Sequence, residues 1–224
     1  MDCPKCGKQA NCKDGRANGR QRYLCKDCNH RYTVAQRSTA GDGAVKRQAL
    51  ELYLEGLGFR SIGRMLGFSN VTILNWIRAF GEQLEGIKND SPVQVVEIDE
   101  MHSYVGSKKY CWIWIAVDRH GKRFLGCVLG TRGVATGERL WQALAPIAGE
   151  VMTDYWQPYE SFVPAGQHTQ SKAETFTVEG YNSLFRHFLA RLRRKSKCYS
   201  KRQKMLGYSV RLLMAKRNNE LIYS

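Results

Sequence analysis

Two cysteine pairs, Cys3-Pro4-Lys5-Cys6 and Cys25-Lys26-Asp27-Cys28, constrain the start of this chain more tightly than any other feature. Each C-x2-C knuckle puts two thiolates on one tight turn, and two such turns complete a tetrahedral Zn²⁺ site. An 18-residue interval separates the knuckles, and its last part, from Asn18 to Cys25, reads as a strand leading into the second one. So short a segment has little apolar core, so the metal would supply much of its folding free energy. A redox pair or incidental cysteines is the competing reading. Cys12, between the knuckles, or His30, just after them, could also replace a ligand.

The symmetric set Cys3, Cys6, Cys25 and Cys28 is similar to a zinc ribbon, expected over residues 1–37 with structural Zn²⁺. Arg16, Arg20, Arg22 and Arg31 decorate it, as phosphate contacts or as a solvated face. The whole chain has 224 residues and a formal charge of +15, which makes a polyanion the leading partner. Its 43% hydrophobic and 25% charged residues fit a soluble, folded protein. No apolar run is long enough to cross a bilayer, and the first residues do not resemble a signal peptide. The expected location is cytoplasmic, where thiols stay reduced and paired cysteines point to metal.

Residues 38–43 are small, polar and glycine-rich, which predicts a linker. Helical periodicity follows, with Val45, Ala49, Leu52 and Leu57 as the inner face. From Phe59 on, Ile62, Gly63, Leu66, Gly67, Phe68, Ile73 and Trp76 fall where a helix-turn-helix needs apolar and small residues. Gly63 lets two helices approach, and Gly67 takes the left-handed conformation at the turn. Ser69 caps the second helix, expected to end near Phe80. Ser69, Asn70, Thr72, Asn75 and Arg78 then suit base-edge and phosphate contacts in a major groove. The alternative is a plain helical hairpin with a buried Trp76. This DNA-binding domain is expected over 44–85, with a second linker running to Pro92.

Beyond Pro92 the pattern turns to strands: 93–98, 110–117, 124–130 and 150–153, with a helix near 135–145 before the last. This α/β order is compatible with a ribonuclease H-like domain over 92–224. Asp99 and Asp154 each end an apolar run, and Glu179 follows Asp154 after 24 intervening residues. Three such carboxylates can hold a pair of hard divalent cations for phosphoryl transfer. Spacing alone is weak evidence, and Glu97, Glu100, Glu150, Glu160 and Glu174 compete. Asp118, in a polar turn, reads as structural.

On a helix carrying Glu179, the residues Asn182, Arg186 and Arg193 share its side. That stripe is either a solvated face or an active-site edge with arginines for a scissile phosphate. Gly180 is a poor helix former, so an irregular start is expected there. The tail is strongly basic, with Arg191, Arg193, Arg194 and Lys195 at its head, and reads as a phosphate track with salt-dependent, sequence-independent contacts. A last helix is expected near 203–216. Cys111, Cys127 and Cys198 read as buried or incidental.

Together these parts resemble the transposases of the insertion-sequence-one family over essentially the whole chain. The matching stretches are the two knuckles, the helix-turn-helix, Ile98–Gly106, Met152–Glu160, Phe176–Arg186 and Leu189–Ser196. The resemblance implies a DDE transposase whose catalytic residues are Asp99, Asp154 and Glu179 with Arg186, and whose metal is Mg²⁺ (or Mn²⁺). It implies an N-terminal region that binds terminal inverted repeats, and double-stranded DNA, both element ends and target, as partner. It further implies a prokaryotic, nucleoid-associated setting and a homo-oligomer, at least a dimer on DNA. Two other readings are a DNA-binding repressor with an inactive nuclease-like domain, and a nuclease or resolvase that cuts without joining.

Overall fold

The computed structural model describes residues 2–17, 19–33, 42–84, 89, 91–106 and 109–221. Asn18, most of the first expected linker (38–41) and most of the segment 85–90 lie outside these. The chain divides into two compact units, Met1–Asp42 and Gly43–Ser224.

The first unit is a three-stranded antiparallel sheet of β1 (Asn11–Ala17), β2 (Arg20–Cys25) and β3 (Arg31–Thr33), in that order. Only β2 was expected. β1 is a polar strand whose register shifts between Lys13 and Arg16, around Gly15 at φ +72°, so its sequence looks like a turn. Asp14 in that bulge pairs with Arg22 (3.0 Å) and Arg31 (2.8 Å). Two of the decorating arginines are thereby engaged within the sheet.

The second unit opens with three helices, α1 (Gly43–Leu54), α2 (Phe59–Leu66) and α3 (Asn70–Gln83). Gly67 ends α2 at φ +74°, and a Cβ on Gly63 would stand 2.5 Å from the Phe68 carbonyl oxygen. Both glycines are therefore required by the turn. Ser69 Oγ accepts from the Thr72 amide at 3.0 Å and starts α3. Along α1 the fully buried set is Ala49, Leu50, Tyr53 and Leu54, while Val45, Leu52 and Leu57 lie at its margin. The inner face turns this way because α1 is covered from a second side by a C-terminal helix, whose Ser209 hydroxyl meets Tyr53 Oη at 2.7 Å.

A five-stranded sheet follows: β4 (Val93–Val105), β5 (Lys109–Asp118), β6 (Arg123–Gly130), β7 (Ala148–Thr153) and β8 (His168–Gln170). Its order is β6-β5-β4-β7-β8, with β4, β5 and β6 antiparallel and β7 and β8 parallel to β4. β8 is three polar residues without alternation and leaves no signal in the sequence. Helix α4 (Val134–Leu144) makes the crossover from β6 to β7; α5 (Phe176–Phe188) and α6 (Gln203–Arg217) close the chain.

Period-two alternation sorts the strands into two cores. Val96, Ile98, Trp114 and Ala116 pack with Leu140 and Leu144 of α4 on one face. Met101, Ile113, Ile115 and Val117 pack with α5, α6 and the first three helices on the other. The helices of 44–84 thus share a core with the sheet and α6, and residues 43–224 form a single compact body.

Candidate active site

Asp99 does not end its strand as the sequence predicts. β4 continues to Val105 because Met101–Val105 pair with Ile113–Lys109 across the hairpin. It is the neighbouring strand that stops. Glu97 is paired with Met152, so two residues further on each strand Asp99 and Asp154 stand side by side just past the end of β7. Both are half-buried. Burial, the charge of Glu100 and, further down, that of Asp154 push the Asp99 carboxyl up to about 6. Asp154 Oδ1 accepts from the Trp156 amide at 3.0 Å, which fixes its side chain in the turn.

Helix α5 brings the third group. It starts at Phe176, ahead of Glu179, and runs regularly through Gly180, whose Cβ position faces open space. The expected irregularity is absent because the buried Glu97 accepts from the Val178 amide at 2.8 Å and holds the first turn. Glu179 is exposed on that turn. One turn later Asn182, 8% exposed, donates to Asp99 Oδ2 at 2.6 Å, and its own Oδ1 has no hydrogen-bond partner. The stripe, read from sequence as either a solvated face or an active-site edge, is partly buried against the sheet at Asn182. Arg186 comes next, half-buried, its pKa lowered by burial and by Arg194 and pulled the other way by Asp99. Arg193 leaves the stripe, since α5 ends at Phe188 and the chain turns; its guanidinium donates to the His187 carbonyl.

Of the competing acids, Glu97, Glu100, Glu150 and Glu174 are engaged elsewhere, as is Asp118. Arg119 bridges Glu97 and Glu174, each at 2.6 Å. Glu100 accepts from Arg132 at 2.7 Å and from Tyr159 at 2.6 Å. Asp118 caps its own turn, accepting from the amides of His120 and Gly121. Glu150 accepts from Thr169. Among the described residues Asp99, Asp154 and Glu179 have no lysine or arginine partner within ion-pair distance, although the chain carries a charge of +15. Carboxylates left without an ion pair in this way, beside a buried orphan amide oxygen, fit a hard cation such as Mg²⁺. The three carboxylates do not yet converge. Among the described residues the one group of three or more potential ligands whose atoms lie within 4.8 Å of one another is Cys3, Cys6, Cys25 and Cys28.

That cysteine group is ready for a metal. The Cys3–Cys28 and Cys6–Cys25 sulfur separations are 3.7 and 3.6 Å. A tetrahedron with Zn–S bonds of about 2.3 Å has edges of about 3.8 Å. Cys12 is directed instead at the Leu24 carbonyl, and the His30 ring stacks on Tyr32, so neither replaces a ligand.

Of the residues expected to meet DNA, Ser69, Asn70, Asn75 and Arg78 are exposed on α3 or at its cap, and Thr72 is half-buried. Arg78 donates to Asn75 Oδ1 at 3.2 Å. Arg193, Arg194 and Lys195 are exposed. Arg191, counted with that basic run, is 5% exposed; it lies over the rings of Tyr53 and Phe59 and donates to Ser200. Sequence reasoning missed Arg119 and Arg132, which no local pattern distinguishes from surface arginines. Alternation along β4, read together with β5, was the signal for the Glu100 face.

Among the described residues no helix is long and apolar enough to cross a membrane. The family model described as IS1 transposase matches residues 93–216. A second, that of a terminase ATPase subunit (gpP-like), matches the short stretch 44–88. Insertion element IS1 4 protein InsB of Escherichia coli (strain K12) is 38% identical over 122 residues, 52% of this chain and 73% of that protein. Insertion element IS1 protein InsB of Shigella flexneri is 38% identical over 122 residues, covering 93% of its length, and that of Shigella sonnei 37% with the same coverage. The matched region contains Asp99, Asp154, Glu179 and Arg186, and over it the chain belongs to the IS1 transposase family of DDE enzymes.

Proposed function

We propose that the protein binds the terminal inverted repeats of an insertion sequence and catalyses metal-dependent strand cleavage and strand transfer there. The observation that carries this reading is the division of its acids: the rivals Glu97, Glu100 and Glu174 are each paired with an arginine, whereas among the described residues Asp99, Asp154 and Glu179 have no lysine or arginine within ion-pair distance. The strand order β6-β5-β4-β7-β8 supports a ribonuclease H-like catalytic domain, with two of the acids at neighbouring parallel strands. Asp99, Asp154 and Glu179 would hold Mg²⁺ or Mn²⁺, which when bound polarises the phosphate and stabilises the leaving oxygen.

Within that site Asn182 fixes the orientation of Asp99, and Arg186 faces the scissile phosphate. The capped α3, with Asn70, Thr72, Asn75 and Arg78, acts as the recognition helix of a helix-turn-helix, and the cysteine module as a zinc ribbon beside it in function. Arg193, Arg194 and Lys195 hold flanking or target DNA. Joining two ends requires both to be present, so the working form is at least a dimer on DNA, at the nucleoid.

Strand transfer with the element's own end DNA and Mg²⁺ tests this, comparing the wild type with Asp99→Asn, Asp154→Asn and Glu179→Gln. Each variant is expected to lose joining by about a thousandfold or more with DNA binding intact. Joining that survives a substitution removes that residue from the site. Tight binding without chemistry from any of the proteins replaces the transposase reading by the repressor.

A further inference from the structure

On β4 the face opposite Asp99 carries Glu100, His102 and Tyr104, paired across the hairpin with Trp114, Trp112 and Tyr110. Trp114 is fully buried, with Phe162 and Tyr159 among its neighbours. Beyond it the cover ends. Trp112 and Tyr104 are half-buried, His102 is exposed, and Tyr110 is 62% exposed. These rings form an unbroken run: His102 lies 5.0 Å from Trp112 and 5.1 Å from Tyr110, Tyr110 5.0 Å from Tyr104, and Tyr104 5.2 Å from Tyr199.

The run is flanked by cations. At one end Arg132 is sandwiched between Trp112 and Trp156, at 4.8 and 4.7 Å from their centres. Partial burial and then Arg186, Arg132 and Arg194 lower the pKa of His102, so all three guanidinium groups act on this ring. Arg186 is also the arginine that feels Asp99. Arg186 thus acts electrostatically on both Asp99 and the aromatic run, and His102 follows Asp99 by three residues, about 10 Å along the strand.

Cross-strand aromatic pairs can stabilise a hairpin, but that role favours rings packed under cover rather than left open at a solvent edge. Aromatic faces set among arginines match a different ligand. Unpaired bases stack on such rings at about 1–3 kcal/mol each while cations track the phosphates. Bases inside a duplex have no free face to offer.

Resting on the DNA-processing reading above, we propose that His102, Tyr104, Tyr110 and Trp112 form a stacking site for unpaired nucleobases of the DNA strand that leads away from Asp99 and Asp154. The end of the duplex is opened beside the carboxylates, and its displaced bases are held on the hairpin while Arg132, Arg186 and Arg194 follow the backbone.

The test uses the full chain and two DNAs of one sequence, a blunt duplex and a fork with an unpaired arm carrying 2-aminopurine. The wild type is expected to bind the fork more tightly and to quench the reporter by stacking. Tyr110→Ala and Trp112→Ala weaken fork binding on the order of tenfold and restore fluorescence, with duplex affinity unchanged. Tyr110→Phe, which keeps the ring, behaves as wild type. Because Tyr110 is mostly exposed, its truncation leaves the fold intact, which circular dichroism verifies. Equal affinity for fork and duplex in the wild type overturns the proposal, as does an alanine variant that loses self-association but keeps its fork affinity. If joining of paired ends proceeds in either case, only the stacking site falls; a protein that binds neither DNA removes the transposase reading with it.

Discussion

Four thiols from two knuckles lie within 4.8 Å of one another in the first unit, whereas in the second Asp99 and Asp154 become neighbours through the pairing of β4 with β7, and Glu179 arrives on a helix. Each knuckle is a local turn, so its geometry follows from a few adjacent residues. The carboxylate site depends on a crossover, a parallel register and a buried network at the start of α5. With metal bound, the first would be a site that makes its fold; the second would be a site that its fold makes.

That contrast is broken most severely by removing metal from the cysteine set. Chelation, or Cys25→Ser, is expected to unfold the first unit, a loss of about 10 kcal/mol of metal-linked folding energy. Residues 43–224 would keep their own core, and hydrogen exchange should show protection vanishing from β1–β3 alone. Equal loss of protection in both units would refute the separation.

Next in size is Glu97→Ala. It leaves Arg119 with one acid fewer and the Val178 amide without its acceptor, at a cost of about 3 kcal/mol by denaturant titration. Strand transfer should fall as well, because the first turn of α5, which carries Glu179, loses its anchor. Full activity in this variant would mean that α5 is positioned by its apolar contacts alone.

Asp99→Asn sharpens the comparison by its pH dependence. A carboxyl whose folded pKa is raised binds its proton more tightly in the fold than in the unfolded chain, so ionisation costs stability as pH climbs past 6, and that cost is gone below about 4. Without added divalent cation, the variant should be more stable than wild type by about 2 kcal/mol at pH 8 and equal to it near pH 4. A difference independent of pH would show that the carboxylate is not strained. The smallest effect belongs to Ser69→Ala, about 1 kcal/mol from the lost α3 cap, read from thermal melts.

Much of this architecture is legible where the deciding interaction is local. The two cysteine knuckles, Gly63 and Gly67 at their turn, the Ser69 cap and the aromatic, branched run of β5 are all set by residues close in sequence. Elements fixed by distant partners are less so. β1 hides in a bulged polar stretch, and β8 pairs only because β7 offers an edge. Whether Asn182 lies on a solvated face or an active-site edge is open until β4 is placed beside it, and Arg191 reads as one more cation until Tyr53 and Phe59 cover it. At the candidate site the two aspartates and Glu179 stand out by spacing and resemblance. The arginines that silence their rivals come from other strands and loops, and only the fold names them.

One packing detail sets a length scale. Gly81, near the end of α3, sits so close to α6 that a Cβ there would stand 2.5 Å from Tyr208, and α3 belongs to the same compact unit as Asp99. On the proposed function, a recognition helix α3 and the carboxylates would be two marks on one ruler. The number of base pairs between the recognised sequence and the cleaved phosphate would then be set by the protein's interior. Inserting five base pairs between them would move the phosphate about 17 Å and half a turn around the duplex, beyond the span that such a ruler sets.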